Sequence, residues 1–129
     1  MPRESVAANR PWVSVVGYSR AVRVGQIIEV GGTTSTDNAG NVLHRGDVYA
    51  QTCEALRIVE EALSELGASV ADVVRTRVFL KDINHWQEAG RAHGEIFASI
   101  APTSTFLEAG AFLDPDILVE VEATAILDP

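Results

Sequence analysis

Hydrophobic positions recur along this chain with two different periods, and each period predicts one kind of element. Between residues 47 and 66 they return every three to four residues, with charged residues on the opposite side, which predicts an amphipathic helix. Gly67 follows and is suited to end that helix. A second helix is predicted over residues 85–100. The apolar positions that recur along the first predicted helix are Val48, Ala55, Leu56, Val59, Ala62, Leu63 and Leu66.

Shorter runs rich in β-branched residues predict strands. Arg20–Val24 and Ile27–Gly31 are separated by Gly25–Gln26, which predicts a β-hairpin. Turn-forming residues fill positions 33–41 and predict a loop, and Ser69 with Asp72 predicts a capping box. Residues 1–11 are predicted to be a flexible tail before a single domain at 12–129. The other predicted strands cover residues 12–16, 74–80, 105–109 and 117–127.

The resulting order, β-β-α-β-α-β-β, predicts an α+β fold with two helices packed on one face of a sheet. Alternation along the last strand places Val119, Val121, Ala123 and Ala125 under the helices. The other side carries Glu120 and Glu122, and the strand at 74–80 presents Arg75, Arg77 and Phe79 together. A face that mixes charges with large apolar groups favours contact with another subunit over bare solvent.

Composition narrows the classes of partner. The 129 residues carry a formal net charge of -8 and only ten Lys plus Arg, so neither nucleic acid nor an anionic membrane is an expected partner. We find no apolar run of about 18 residues and no signal-peptide core, so a cytoplasmic location is expected. The single cysteine, Cys53, lies in the middle of a predicted helix and is interpreted as a packing residue.

Motifs that would name a reaction are missing from the sequence. It contains no glycine-rich phosphate loop, no GxSxG, no HExxH and no CxxC. His85 and His93 are eight residues apart on one predicted helix, which is not the spacing of a two-histidine metal site. No metal and no other cofactor is therefore expected.

Four ordered segments, GYSRAVRVGQIIEVGG, GDVYAQTCEALRIVEEALSELGAS, DVVRTRVFLKDI and LVEVEATAIL, resemble the RidA family, also called YjgF or L-PSP. The resemblance spans residues 15–127. It implies a homotrimer with a chorismate-mutase-like fold and ligand pockets between subunits. The best-known members hydrolyse reactive enamines and imines to 2-oxo acids and ammonia, using an arginine for the substrate carboxylate and a glutamate for the water.

The resemblance also implies roles for individual residues. The pocket tyrosine of the family falls on Tyr18 and its glutamate on Glu120, which we take as the catalytic candidates. The family's arginine falls on Ser104, its serine near Val30 or Gly31, and its asparagine on Gly90, so three family residues are replaced. We therefore expect a small imine, enamine or related carbonyl metabolite as substrate, and not the archetypal 2-aminoacrylate.

Five residues are candidates for holding that substrate: Ser104, Thr105, Gly31, His93 and Arg20. Each candidate has a structural alternative. Glu120 could instead pair with Arg75 or Arg77 inside a trimer interface, and Tyr18 could only pack. His93 could lie on the surface or between subunits, and Arg20 could be a solvated strand charge. A trimer that binds or regulates without catalysis stays open as the second function. An endoribonuclease is disfavoured by the acidic charge and by the lack of a paired-histidine or metal site.

Overall fold

A six-stranded sheet with helices on one face forms the protein, as a computed structural model describes it for residues 2–129. The strands are β1 (Arg3–Ala7), β2 (Ser19–Val24), β3 (Ile27–Thr34), β4 (Val73–Leu80), β5 (Thr103–Glu108) and β6 (Val119–Ile126). The helices are α1 (Val13–Val16), α2 (Val48–Glu65) and α3 (Trp86–Phe97), with short 3-10 turns at Val70–Asp72 and Ile83–His85. This confirms the predicted α+β fold.

The sheet order is β1-β2-β3-β6-β4-β5, which puts the C-terminal strand β6 in the middle. All neighbouring strands are antiparallel except β4 and β5, which are parallel and joined by the crossover through α3. Alternate residues of β6 are buried, as predicted, and they pack with α2 and α3 to form the core. The largest buried core side chains include Phe97, Ile28, Leu56, Leu63 and Leu80.

Local signals set the ends of α2. The Asp47 side chain accepts a hydrogen bond from the Ala50 amide at 3.0 Å, which satisfies one of the unpaired N–H groups of the first turn. Gly67 follows the helix with a φ of 85°, a left-handed conformation that glycine adopts without a steric cost. The capping box of Ser69 and Asp72 is present, as predicted.

Two predictions for the first 16 residues are wrong. Residues 3–7, predicted as part of a flexible tail, form β1 and pair with β2. Its side chains are mostly exposed, so the strand is held mainly by backbone hydrogen bonds to β2. Its sequence therefore shows no alternation of hydrophobic residues. Residues 12–16, predicted as a strand, contain the short helix α1, which ends at Gly17 with a φ of 73°.

The sheet face away from the helices, called here the open face, mixes charges and exposed apolar side chains. Arg77 of β4 pairs with Glu122 of β6 at 3.1 Å, which confirms the predicted meeting of guanidinium and carboxylate across strands. Four exposed apolar side chains flank it: Val24, Ile27, Val74 and Ile126. Across residues 2–129, no helix combines the length and the apolar character needed to cross a bilayer.

Candidate functional site

Tyr18, Arg20 and Glu120 line one cavity of about 230 Å³ at the end of the sheet. Tyr18 and Arg20 are close in the sequence, at the start of β2, and Glu120 on β6 meets them from the other end of the chain. The remaining lining consists of Trp12, Val16, Gly32, Thr34, Leu113 and Ile117. The lining therefore combines charged and hydroxyl groups with apolar side chains, the usual character of a small-molecule site.

The backbone around the cavity explains how the three groups converge. Gly17 turns the chain out of α1 in a left-handed conformation and delivers Tyr18 to the start of β2. Glu120 lies in the central strand β6, between its register partners Thr34 in β3 and Phe79 in β4. The β3–β6 register shifts between Val30 and Thr33, so β3 bulges at the point that faces Glu120.

Gly32 lies in that bulge and leaves room for the Glu120 carboxylate. A Cβ atom placed on Gly32 would overlap Oε1 of Glu120 and would come within 2.9 Å of its Cδ. Any side chain at position 32 would therefore displace the carboxylate from the cavity wall. Sequence analysis did not single out Gly32, although adjacent glycines within a strand are a known signal of a bulge or a close approach.

Arg20 is buried, with only 5% of its surface exposed. Its Nη1 donates to the Gly32 carbonyl at 2.8 Å and to the Thr33 hydroxyl at 3.2 Å. Burial lowers the pKa of Arg20, as does the nearby Arg10 charge, while Tyr18 and Glu120 act in the opposite direction. The alternative that Arg20 is a solvated strand charge is therefore wrong.

Burial raises the pKa of the Glu120 carboxyl above its usual value, the charge of Glu122 adds to the rise, and Arg20 partly offsets it. No hydrogen bond from a residue in 2–129 contributes to the pKa shift of this carboxylate. Within one chain Arg77 pairs with Glu122. A pairing of Glu120 with Arg75 or Arg77 across a trimer interface stays a prediction. A carboxylate with a raised pKa that faces a cavity is a candidate general base.

A second group of polar side chains lies on the opposite face of the sheet. The Thr76 hydroxyl is 2.7 Å from Oγ of Ser104 and 2.7 Å from Nε2 of His93. Thr76 and Ser104 are register partners on the helix side, because Thr76 is fully buried, whereas Glu120 pairs with Phe79, three residues further along β4. In a single chain, Ser104 and His93 therefore do not reach the Tyr18 cavity.

Aromatic side chains hold the His93 imidazole. Its ring centroid lies 4.6 Å from that of Phe97 and 5.6 Å from that of Phe106, the second contact edge-on. Burial lowers the pKa of His93, which favours the neutral imidazole. Thr76 was missed in the sequence because a threonine in a strand is an ordinary β-former.

The last two candidate binding residues lie elsewhere on the molecule. Thr105 is exposed on β5, beside its register partner Arg77. Gly31 lines a separate cavity of about 180 Å³ on the open face, together with Arg75, Arg77 and Glu122. Neither residue joins Tyr18 and Glu120 within one chain. Within residues 2–129 no cluster of three or more His, Cys, Asp or Glu side chains is arranged to hold a metal ion.

Comparisons with known proteins place this geometry in a family. The sequence model described as Endoribonuclease L-PSP matches residues 8–127. An uncharacterized protein of Streptomyces coelicolor is 39% identical over 121 residues, which cover 93% of this chain and 89% of the relative. The 3-aminoacrylate deaminase RutC of Acinetobacter baylyi is 28% identical over 125 residues, which cover 97% of this chain and 98% of the relative.

Solved structures agree with the sequence matches. The crystal structure of Rv2704 from Mycobacterium tuberculosis, a member of the YjgF/YER057c/UK114 family, superposes with a TM-score of 0.88 at 42% identity, covering 98% of this chain and all of the other. The YjgF gene product of E. coli has a TM-score of 0.82 at 25% identity, covering 97% of this chain and 99% of the other. The chain therefore belongs to the RidA family, also called the YjgF or L-PSP family.

Proposed function

We propose that this protein hydrolyses a small imine or enamine to a carbonyl compound and ammonia in the cavity lined by Tyr18, Arg20 and Glu120. The observation that carries the proposal is the state of Glu120, a half-buried carboxylate with a raised pKa that faces a small cavity beside an arginine. A carboxylate whose pKa is raised accepts a proton more readily than an ordinary one, as a general base must.

The chemistry needs few groups. An enamine takes up a proton on carbon to give an iminium ion, and water then attacks the C=N carbon while Glu120 accepts the proton of that water. The resulting carbinolamine loses ammonia and leaves the carbonyl product. In this proposal the Tyr18 hydroxyl hydrogen-bonds the substrate. The Arg20 guanidinium, which has donors beyond those used on Gly32 and Thr33, holds an electron-rich atom of the substrate.

The size and charge of the cavity support a small substrate. About 230 Å³ is below the range of roughly 300–1,000 Å³ typical of sites for drug-sized ligands. At the position where the family resemblance places a carboxylate-binding arginine, this chain has Ser104. We therefore favour a substrate whose recognition does not depend on a carboxylate, although a relative is named a 3-aminoacrylate deaminase.

A homotrimer is part of the proposal. Exposed Val24, Ile27, Val74 and Ile126 on the open face are apolar groups that a neighbouring subunit would cover. The β5 edge with Ser104 and Thr105 would then be able to complete the cavity of the next chain. Light scattering should give three times the chain mass of 13.8 kDa, and a stable monomer at micromolar concentration would contradict this part.

Ammonia release tests the proposal. We would offer 3-aminoacrylate, 2-aminoacrylate and a neutral imine, which is the imine that an amine oxidase forms from a small amine without a carboxylate. Each is generated in place, and the rate of ammonia release is compared with that in buffer. Faster ammonia release from the neutral imine is the expected result. If no substrate is accelerated, and the carbonyl products raise the melting temperature, the protein is a binding or regulatory trimer instead.

The family description names an endoribonuclease, but the residues of this chain do not favour ribonuclease activity. The formal charge of -8 opposes the approach of phosphate, because nucleic-acid binding draws mainly on cationic contacts. RNA cleavage that disappears in Glu120→Ala would overturn this view.

A further inference from the structure

The Arg10 guanidinium ties two segments of the chain together. On its own segment, Nη1 donates to the carbonyls of Ala8 and Asn9, both at 3.1 Å. On the other segment, Nε donates to the Thr36 hydroxyl at 2.8 Å, Nη2 to the Thr36 carbonyl at 2.7 Å, and Nη1 to Oδ1 of Asn38 at 3.0 Å. The segment that follows β1 is therefore fastened to the segment that follows β3.

The turn that receives Arg10 is itself held in shape by hydrogen bonds. Oδ1 of Asp37 accepts from the Ala39 amide at 3.0 Å and from the Asn41 amide at 2.9 Å. Gly40 reverses the chain there with a φ of 84°, a left-handed conformation that suits glycine. Loss of the Arg10 contacts would therefore displace the N-terminal segment, while the turn keeps its own hydrogen bonds.

Pro11 and Trp12 come directly after Arg10 and pack on the same turn. A Cβ atom placed on Gly40 would lie 2.9 Å from Cγ of Pro11 and 3.6 Å from Cη2 of Trp12, so both rings lie close to the backbone of the turn. Trp12 also lines the cavity that contains the candidate base. The position of Trp12 in that lining thus depends on the turn and on the arginine that fastens its segment.

The backbone at Asn9 supports the view that this segment is held under constraint. Asn9 has a φ of 53°, in the left-handed region that residues other than glycine adopt at a cost. Such a conformation persists where the surrounding contacts hold it in place. The two carbonyls that accept from Nη1 of Arg10 lie on either side of the Asn9 Cα, so the guanidinium holds this bend as well as the contact with the turn.

We propose that Arg10 is a positioning residue that holds Trp12 in the apolar lining of the cavity, and that this lining selects imines and enamines with an apolar side chain. Val16, Leu113 and Ile117 complete the apolar lining, so an alkyl group of the substrate would leave water for contact with apolar side chains. The inference rests on the proposed function, because it names the kind of imine or enamine that the cavity accepts.

Tryptophan emission tests the positioning without any turnover. The chain has two tryptophans, so Trp12 is the sole one in a Trp86→Phe background. Arg10→Gln should shift the Trp12 emission to longer wavelength and raise its quenching by acrylamide, because an unfastened indole meets more water. Arg57→Gln is the matched control, since Arg57 also donates several hydrogen bonds, but to carboxylates of α2. Unchanged Trp12 emission in folded Arg10→Gln would overturn the proposal.

Substrate selectivity tests the apolar lining. The substrates are the imines that an amine oxidase forms from ethylamine and from butylamine. In the wild type, kcat/KM for ammonia release should rise about fourfold for each methylene that the lining buries. Arg10→Gln should lose most of this preference. Thr36→Val removes the hydroxyl that accepts from Nε and should lose part of it, whereas Thr36→Ser should keep it. Equal losses for the two imines would overturn the proposal, because a general structural defect lowers both alike.

Failure of this inference and failure of the proposed function give different results. If the wild-type protein hydrolyses neither imine, the proposed function fails, and the aldehydes derived from the two imines are titrated against Trp12 emission instead. Tighter binding of the longer aldehyde, with that preference reduced in Arg10→Gln, would support the role of the lining. Equal affinity of the wild-type protein for the two aldehydes would overturn it.

Discussion

The carboxylate of Glu120 lies directly against Gly32, in the space that any other residue at position 32 would fill with its Cβ. The neighbouring Gly31 differs, since a Cβ there would meet nothing closer than the Arg20 carbonyl at 3.7 Å. Two adjacent glycines therefore have unequal roles, and only one of them sets the position of the candidate base.

Substitution of Gly32 by alanine should impair the activity more than the stability. The new methyl group pushes the flexible end of Glu120 out of position, and misplacement of a catalytic group by about 1 Å can cost on the order of a hundredfold in rate. Steady-state ammonia release measures the effect. Gly31→Ala is the control and should keep most of the wild-type rate; equal losses in the two variants would contradict the assigned role of Gly32.

Removal of the charge at position 122 should shift the pH dependence of the reaction. The Glu122 carboxylate helps to raise the pKa of Glu120, so Glu122→Gln should lower that pKa and move the acid limb of kcat/KM to lower pH. The control is Glu29→Gln, which changes a carboxylate that accepts a hydrogen bond from Thr124. It should leave the acid limb of kcat/KM unchanged. An acid limb that is the same in Glu122→Gln as in the wild type would exclude Glu120 as its source.

The candidate base should also reduce stability at neutral pH. Because the folded pKa of Glu120 lies above its usual value of 4.5, the folded state holds this proton more tightly than the unfolded state. Stability from this group is therefore lost as pH rises from about 4.5 through the folded pKa. Glu120→Gln removes the effect.

Urea unfolding at fixed protein concentration measures this linkage. The advantage of Glu120→Gln over the wild type should be larger at pH 8 than at pH 4, since only the charged carboxylate is penalised by burial. A stability difference that does not change with pH would show that the pKa of Glu120 is not raised in the folded protein.

Loss of the helix cap on α2 offers a test of the fold that does not involve the site. Asp47→Ala removes the acceptor for the Ala50 amide and should lower the free energy of unfolding by about 1 kcal/mol. Asp47→Asn keeps a capping oxygen and should lose much less. Equal losses would mean that the charge of Asp47, and not the hydrogen bond, stabilises the helix.

The sequence predicted those parts of the fold that bury a regular pattern. The periodic apolar face of α2 and the alternating apolar residues of β6 are both buried in the core. The predicted bounds of these two elements therefore agree with the observed ones within a few residues. β1 was missed because its five residues expose nearly every side chain. α1 was mistaken for a strand because its valines favour β structure; Val15 is 88% exposed, so burial does not explain its helical conformation.

The candidate site was predictable only in part. Tyr18 and Glu120 were candidates from the family resemblance, and Arg20, a candidate binding residue, lines the same cavity. The contact of Glu120 with Gly32 depends on the bulge in β3, and the link of Ser104 to His93 passes through Thr76 on another strand. Both are long-range relationships that no spacing along the chain encodes.

The most direct test of the proposed function is the kcat for ammonia release from the neutral imine in Glu120→Gln, with Glu29→Gln as the matched control. Loss of a general base typically costs about a hundredfold or more, so Glu120→Gln should fall at least that far while Glu29→Gln stays near the wild-type value. A Glu120→Gln variant that turns over at the wild-type rate would show that this carboxylate is not the base, and would contradict the account.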